Sequence, residues 1–139
     1  MALAPSTNLV FAGVKKKWDS ENLDSIVSGG SHRDESPERK AKPYAVVDAI
    51  ADVHSSRTNI GKYRIVLFSI TLITNTPEQG GEMAGSIYEA FEDVDDLEID
   101  GARVVELVTG PVRYLWDKQQ QVLKTILEFK ALLARPRIR

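Results

Sequence analysis

The sequence contains no cysteine and only two histidines among its 139 residues. The lack of thiols excludes disulfide stapling, thiolate catalysis and cysteine metal sites. His32 and His54 lie among polar residues, and neither has a second ligand at a spacing typical of metal sites. We therefore expect no bound metal and no cofactor.

Long apolar runs and a strong charge imbalance are also missing. No apolar run approaches the roughly 20 residues needed to cross a bilayer, and the first residues lack the apolar core of a signal peptide. The net charge of −2 does not indicate a nucleic-acid binder. We expect a soluble, non-exported single domain over residues 1–139, with no membrane partner.

The motifs of common active sites are absent as well. No nucleophile elbow occurs, no glycine-rich phosphate loop follows a strand, and no histidine pairs with a carboxylate at a telling spacing. The acidic run at residues 89–96 lacks the alternation and central glycine of a calcium loop. These absences predict a protein that binds other proteins and has no catalytic residues.

What the sequence does have is a long β-type run at residues 63–74. At a period of two, both of its faces are largely apolar, and β-branched and aromatic residues dominate it. The run is about twice the usual strand length. It predicts a central strand that needs cover on each face, either from its own chain or from another.

The first of two predicted amphipathic helices spans residues 8–18. Val10, Val14 and Trp18 recur at four-residue spacing and define its apolar stripe. The lysine triplet at residues 15–17 is interpreted as a solvated face near the helix C-terminus, where cations suit the helix dipole. A docking patch for an acidic partner is the alternative.

The second predicted helix begins after Asn75. Thr76 suits the N-cap, Pro77 suits the first helical position, and Gln79 would complete a capping box. An apolar stripe at four-residue spacing follows, and we assign it to the core: Met83, Ile87 and Phe91.

The other extended segments complete the predicted sheet. Residues 43–51 predict a strand that joins the long one through a hairpin loop at residues 52–61. Residues 97–99, a turn at Asp100-Gly101 and residues 102–109 predict a third strand, and residues 112–116 continue the extended chain. Residues 122–133 fit either a strand or a helix, and periodicity alone does not decide. The predicted fold is α+β, with a four-stranded, mostly antiparallel sheet, two helices packed on one face, and the order α-β-β-α-β-β.

Two polar segments have no apolar anchor. Residues 29–42 are charged, and their composition predicts a mobile loop in the free protein. Ordering of this segment against a neighbouring subunit is the open alternative. Residues 135–139 form a short basic tail that we expect to be mobile.

The order and spacing of several landmarks between about residues 8 and 133 resemble the tail terminator and tail-completion proteins of long-tailed bacteriophages. The landmarks are Gly29-Gly30 before a polar stretch, the run Pro43-Tyr44-Ala45-Val46-Val47-Asp48, the long strand at residues 63–74, the helix residues Ala84 and Ile87-Tyr88-Glu89-Ala90-Phe91, the run Leu97-Glu98-Ile99-Asp100-Gly101, Asp117 in a turn, and Leu127-Glu128-Phe129.

This resemblance implies a structural virion protein that forms a ring, expected to be a hexamer, at the head-proximal end of the tail tube. Such a ring stops tube polymerisation and joins the tail to the neck. Its partners would be further copies of itself, the tube protein and a neck or head-completion protein, while genomic DNA passes through the lumen without specific binding. The protein would reside in the virion, and in the host cytoplasm during assembly.

The resemblance also assigns roles to two segments. The charged segment would be an arm that reaches the adjacent subunit, and its candidate interface residues are Arg33, Asp34, Glu35, Glu38, Arg39 and Lys40. The hairpin loop would project toward a partner, and its candidate contact residues are His54, Arg57 and Asn59.

Three alternative functions differ from this expectation. The nearest is another neck, head-closure or minor tail component of the same assembly. A small-molecule-binding or enzymatic α+β domain would need a convergent polar site, which the sequence does not indicate. A nucleic-acid module based on residues 15–17 and 135–139 would need aromatic residues interleaved with its charges, and it has none there.

Overall fold

The structure is a computed structural model, and it describes residues 3–32, 43–54, 63–93, 97–99, 102–119 and 121–134. Two α-helices, one short 3-10 helix and seven strands follow one another in these ranges. They are α1 (Leu3–Ser20), the 3-10 helix (Leu23–Ser25), β1 (Ser31–His32), β2 (Tyr44–His54), β3 (Tyr63–Thr74), α2 (Pro77–Glu92), β4 (Glu98–Ile99), β5 (Ala102–Thr109), β6 (Arg113–Asp117) and β7 (Val122–Ala134).

The seven described strands form one curled, mixed sheet with the shape of a half-barrel. Its order is β1-β2-β3-β7-β5-β4, and β6 pairs with β7 beside β5. The pairing of β1 with β2 is parallel, and the other pairings are antiparallel. The predicted four-stranded, mostly antiparallel sheet was therefore wrong.

Backbone hydrogen bonding explains the additional strands. The amide of Ala45 donates to the carbonyl of Gly30 at 2.9 Å, which joins the polar chain at β1 to the edge of β2. β5 and β6 follow one another along the same edge of β7, and the break between them falls at Gly110 and Pro111. Proline lacks the amide that a continuous ladder would need.

The long strand β3 occupies the centre of the sheet, and its predicted extent of residues 63–74 is confirmed. It pairs along its whole length with β7, from Tyr63 opposite Ala134 to Thr74 opposite Leu123. Its other edge pairs with β2. Residues 122–133, for which strand and helix were both open, therefore belong to a strand. A long antiparallel partner was available for this segment, which its own periodicity could not show.

Both helices pack on one face of the sheet and form a single core with it. The β3 residues on that face are Val66, Phe68, Ile70 and Leu72, and all four are fully buried. Phe129 lies at the centre of the core, with its ring centroid 5.1 Å from Phe68, 5.6 Å from Tyr88 and 5.7 Å from Phe91. Aromatic contacts of this geometry add stabilisation to that of area burial alone.

Helix α1 buries the predicted stripe of Val10, Val14 and Trp18. The interpretation of the lysine triplet as a solvated face was wrong for Lys17, whose side chain is buried. Its ammonium contacts the carboxylate of Glu21 at 3.0 Å, so the buried cation is paired with the residue that directly follows its helix. The indole of Trp18 donates a hydrogen bond of 2.7 Å to Asp24, which anchors the 3-10 helix to α1.

The start of α2 confirms the predicted cap. The hydroxyl of Thr76 accepts a hydrogen bond from the amide of Gln79 at 3.2 Å, and Pro77 is the first helical residue. The side chain of Gln79 accepts from the amide of Asn75 at 3.4 Å, one residue before the cap. Two amides at the helix start therefore have side-chain acceptors.

Helix α1 approaches β4 at Gly13, and this contact yields a test of the packing. A Cβ atom at Gly13 would lie 2.1 Å from the carbonyl oxygen of Glu98, which belongs to the backbone and has little room to shift. We expect Gly13→Ala to lower the free energy of unfolding by about 1–3 kcal/mol, as overpacking typically does. Equilibrium unfolding in urea measures this change.

Gly81 in α2 supplies the matched control, because a Cβ atom there would meet nothing within 4 Å. We expect Gly81→Ala to raise the free energy of unfolding by up to about 1 kcal/mol through helix propensity. Equal effects of the two substitutions would contradict the close approach of α1 to β4.

Candidate assembly surface

The second face of the sheet carries no helix in the described part of the chain. On β3 this face alternates with the core face and includes Leu67, Ser69 and Ile73. At one end, a small cluster made only of strand residues buries Tyr44, Val46, Ile73 and Val122. The ring of Tyr44 also contacts His32 edge-on, with centroids 5.8 Å apart. Elsewhere on the described part of this face Ile50, Val108 and Lys130 are exposed, Leu67 is half-buried and Ser69 is buried.

A concave apolar site lies on this open face, and we call it the sheet hollow. Its apolar lining is Ile50, Leu67 and Val108, from β2, β3 and β5. The side chains of Glu128 and Lys130 on β7 complete its wall, and its volume is about 330 Å³. Leu67 and Val108 both lie opposite Lys130 in the sheet register, so the hollow crosses the four strands as one row.

An irregularity in β2 brings Ile50 to this row. The register between β2 and β3 shifts between Ala49 and Ala51, so the chain bulges at Ile50. Ile50 is 54% exposed and Val108 is 48% exposed, values that are high for large aliphatic side chains. Bulges commonly redirect a side chain next to a functional surface.

Contacts around Gly110 hold the break between β5 and β6 beside the hollow. The amide of Gly110 donates to the carbonyl of Glu128 at 2.9 Å, and its own carbonyl accepts from the hydroxyl of Tyr88 at 3.2 Å. The carboxylate of Glu128 forms an ion pair with Arg113. Burial raises the pKa of Tyr88 above its usual value, and the negative charge of Glu128 adds to the effect.

The second surface is the exposed strand β6, and we call its residues Tyr114, Leu115 and Trp116 the β6 ridge. Tyr114 and Trp116 pair with Thr125 and Leu123 and so project from the helix-side face of the sheet, whereas Leu115 projects from the face of the hollow. The three side chains are 56%, 55% and 51% exposed. Among the described strands β6 pairs only with β7, so its outer edge is open. Three consecutive exposed apolar residues on an open edge are unusual, because such an edge favours association with another chain.

Charged residues at both ends of the β6 ridge are paired within the chain. Arg113 forms the ion pair with Glu128, and Asp117 lies 3.6 Å from the ammonium of Lys124. A partner that covers the ridge therefore does not have to compensate a lone charge at either end. Apolar surface is the chemistry that both the ridge and the hollow offer.

The described residues do not bring together the groups that metal binding would need. Within these ranges, no cluster of three or more His, Asp or Glu side chains could hold a metal ion. The same part of the chain has no helix long and apolar enough to cross a membrane.

Of the residues proposed from the resemblance, only His54 lies in the described part of the chain. The arm candidates Arg33, Asp34, Glu35, Glu38, Arg39 and Lys40 lie outside the described residues, as do Arg57 and Asn59. His54 lies in β2, opposite Arg64 of β3, and not in the hairpin loop, because the strand pairing continues three residues beyond the predicted end of the strand. Ser31 and His32, placed by prediction in the mobile loop, form β1.

Sequence reasoning did not identify the residues of the hollow or the ridge. The run at residues 114–116 was assigned to extended chain. Its three consecutive large apolar residues suit a strand that is buried on both faces as well as they suit an exposed edge strand. Whether such a strand lies at an edge depends on pairing along the whole sheet. The only sequence signal for an exposed apolar surface was the alternation of β3, because it showed a second apolar face that neither predicted helix covers.

The fold of this chain is similar to that of a solved chain described as "Virion of native gene transfer agent (GTA) particle". The TM-score is 0.67, the identity is 19%, and the match covers 95% of this chain and 97% of that one. At this identity the likeness shows a shared fold. No protein-family model matches the sequence, and no curated protein sequence does.

The hydrogen bond from Tyr88 to Gly110 yields a test of how the wall of the hollow is held. We expect Tyr88→Phe to lower the free energy of unfolding at neutral pH by about 1 kcal/mol, the usual contribution of one hydrogen bond. Since the pKa of Tyr88 is raised on folding, its stabilising contribution is complete below about pH 10 and is lost as the pH rises through the folded-state pKa. Urea unfolding at pH 7 and above pH 10 measures both effects.

Tyr114→Phe is the matched control, because Tyr114 is exposed. We expect this variant to match the wild type at pH 7 and to lose with alkali most of the stability that the wild type loses, because Tyr114 is the smallest of the three causes that raise the pKa of Tyr88. A Tyr88→Phe variant that loses as much stability with alkali as the wild type would contradict the assignment.

Proposed function

We propose that this chain is a structural subunit of a phage-like virion and that it acts as a tail terminator. In this proposal, copies of the chain form a ring, expected to be a hexamer, at the head-proximal end of the tail tube. The ring stops tube polymerisation and joins the tail to the neck. The chain has no catalytic role in this function.

The shared fold is the observation that carries the proposal. The match to the gene transfer agent virion chain extends over nearly the whole of both chains, so it is not limited to one part of the fold. That particle is phage-like, which supports assignment of this chain to the same class of structural component. The resemblance of the sequence landmarks to tail terminator proteins supports the more specific role.

The exposed surfaces support assembly on physical grounds. A closed ring built from head-to-tail contacts needs two different surfaces on each subunit. The sheet hollow and the β6 ridge are two such surfaces, and both are apolar and exposed in the single chain. An enzyme or a small-molecule carrier of this size would instead need convergent polar groups in its pocket.

Two further assignments belong to this proposal. Residues 33–40 form an arm that contacts the adjacent subunit, and the loop that begins after β2 projects toward a partner in the tube or the neck. DNA passes through the lumen without specific binding, which fits the slightly negative net charge of the chain. The protein is then found in the virion, and in the host cytoplasm while particles assemble.

Assembly of the purified chain tests the proposal. We expect discrete rings, either in solution or on contact with tail tubes polymerised from the tube protein of the same particle. Size-exclusion chromatography with light scattering gives the number of subunits, and negative-stain images show whether rings occupy tube ends and stop their growth. A chain that remains monomeric and leaves tube growth unchanged would refute the terminator function.

The same measurements separate the alternatives and test the arm. A ring that binds the neck protein but not the tube would favour a neck or head-closure component. A variant that lacks residues 33–40 should associate more weakly while it retains the unfolding transition of the wild type. Undiminished association of that variant would refute the arm assignment and leave the ring proposal standing.

A further inference from the structure

We propose that the β6 ridge of one copy inserts into the sheet hollow of the next copy, so that copies join head to tail. This inference rests on the proposed ring, because it names the two surfaces that build it. Four observations support it: the shapes of the surfaces, their exposed area, the pairing of the charges beside them, and their separation on the chain.

The two surfaces complement each other in shape. The ridge projects from an open strand edge and carries the two aromatic rings of Tyr114 and Trp116. The hollow is concave, with a volume of about 330 Å³ and an aliphatic lining. That volume lies within the range of pockets that enclose small organic molecules, so it can accept an indole or phenol ring. Tyrosine and tryptophan are the residues most often found as anchors at the centre of protein interfaces.

The exposed area suits the centre of an interface. Tyr114 and Trp116 are half exposed, so each keeps roughly 100 Å² of accessible side-chain surface. A stable contact buries roughly 800 Å² on each partner. The ridge therefore supplies the apolar centre, and the neighbouring residues of β5 and β6 supply the rim.

The charges permit this contact. Arg113 and Asp117, at the two ends of the ridge, each have an ion-pair partner on β7 of their own chain. In the hollow, Glu128 is the partner of Arg113, and the exposed side chain of Lys130 lies in the row between Leu67 and Val108. Docking therefore leaves the charged residues that flank the ridge paired, and the ammonium of Lys130 has to keep its contact with water at the edge of the interface.

The ridge cannot enter the hollow of its own chain, because both belong to neighbouring stretches of one hydrogen-bonded sheet. Trp116 pairs with Leu123 of β7, whereas Val108 pairs with Lys130 seven residues further along the same strand. Seven residues of extended strand span about 23 Å. A ridge can therefore fill a hollow only on a second copy. In the proposed ring that copy offers its own ridge to a third, which makes the contact heterologous. Two copies that exchanged ridges would instead form a closed isologous dimer, and light scattering of the wild type distinguishes the two arrangements.

Complementation between two defective variants tests the inference. Trp116→Glu places a charge on the ridge and leaves the hollow intact, whereas Ile50→Glu places a charge in the hollow and leaves the ridge intact. Both positions are exposed in the single chain, so both variants should fold. Ile26→Glu is the matched control, because Ile26 is also an exposed large aliphatic residue and belongs to neither surface.

We expect each of the two variants alone to associate about tenfold more weakly than the wild type or worse, as loss of an interface anchor predicts. We expect Ile26→Glu to form rings as the wild type does. An equimolar mixture of the two defective variants should give a 1:1 dimer that grows no further, since one intact ridge meets one intact hollow. Light scattering detects the dimer.

Fluorescence gives an independent readout of the same mixture. The Trp116→Glu copy has lost its exposed tryptophan, so Trp116 of the Ile50→Glu copy is the exposed tryptophan that remains. When the Trp116→Glu copy is added to the Ile50→Glu copy, the emission of Trp116 should shift to the blue, because the indole moves from water into the hollow. The shift should stop increasing at one equivalent of added protein.

The outcomes separate this inference from the proposed function. Rings from wild type and from both defective variants would refute the ridge and hollow contact while the terminator function stands. A mixture of folded variants that neither dimerises nor shifts its emission would also refute it. A wild type that never assembles, even on tubes, would refute the function first and this contact with it.

Discussion

The fold depends on the fact that β3 has two apolar faces, whereas both helices cover the same one of them. The strand has two apolar faces and lies at the centre of the sheet, between β2 and β7. Both helices pack on the same face, where Phe68 and Phe129 stack at the centre of the core. Burial of that face against α1 and α2 stabilises the monomer. On the other face, apolar side chains of β3 have no helix above them in the described chain, and this open face contains the sheet hollow.

Irregularities in the strands turn this open sheet into two defined surfaces. The bulge at Ile50 puts that side chain in the lining of the hollow, and the break at Gly110 and Pro111 separates β5, which lines the hollow, from β6, which carries the ridge. The terminal strands β1 and β4 have two residues each, which is one way in which proteins avoid unwanted edge pairing. The ridge on β6 departs from this pattern, because its edge is longer, open and apolar. A long, exposed apolar edge adds no stability to a monomer, whereas a subunit that assembles can bury it against a neighbour.

The parts of the fold with strong local signals were predictable from the sequence. The limits of β3 followed from its alternation, and the start of α2 followed from Thr76 and Pro77. Strand pairing was not predictable to the same degree, because it depends on partners distant in the sequence. Residues 122–133 fitted a helix nearly as well as a strand until their pairing with β3 was known. For the same reason β1, which depends on backbone bonds to β2, was not foreseen in a polar segment.

The candidate surface was less predictable than the fold. The sequence showed that a second apolar face existed, but the residues assigned to subunit contact were the charged ones at 33–40, which lie outside the described structure. Trp116 is exposed because β6 pairs with β7 along one edge only among the described strands. No local sequence pattern indicates which strand takes such a position. Burial of Lys17 is a similar case, because its location on the helix stripe and its pairing with Glu21 both depend on how α1 packs.

The central claim is that assembly covers apolar surface that the single chain leaves exposed, and iodide quenching of the wild-type protein tests it most directly. The chain has two tryptophans, of which Trp18 is buried and Trp116 is half exposed. In the dilute, unassembled chain, iodide should quench the emission of Trp116 and leave that of Trp18. In the assembled ring, the quenchable component should disappear. Equal quenching of Trp116 in the ring and in the dilute chain would contradict the account.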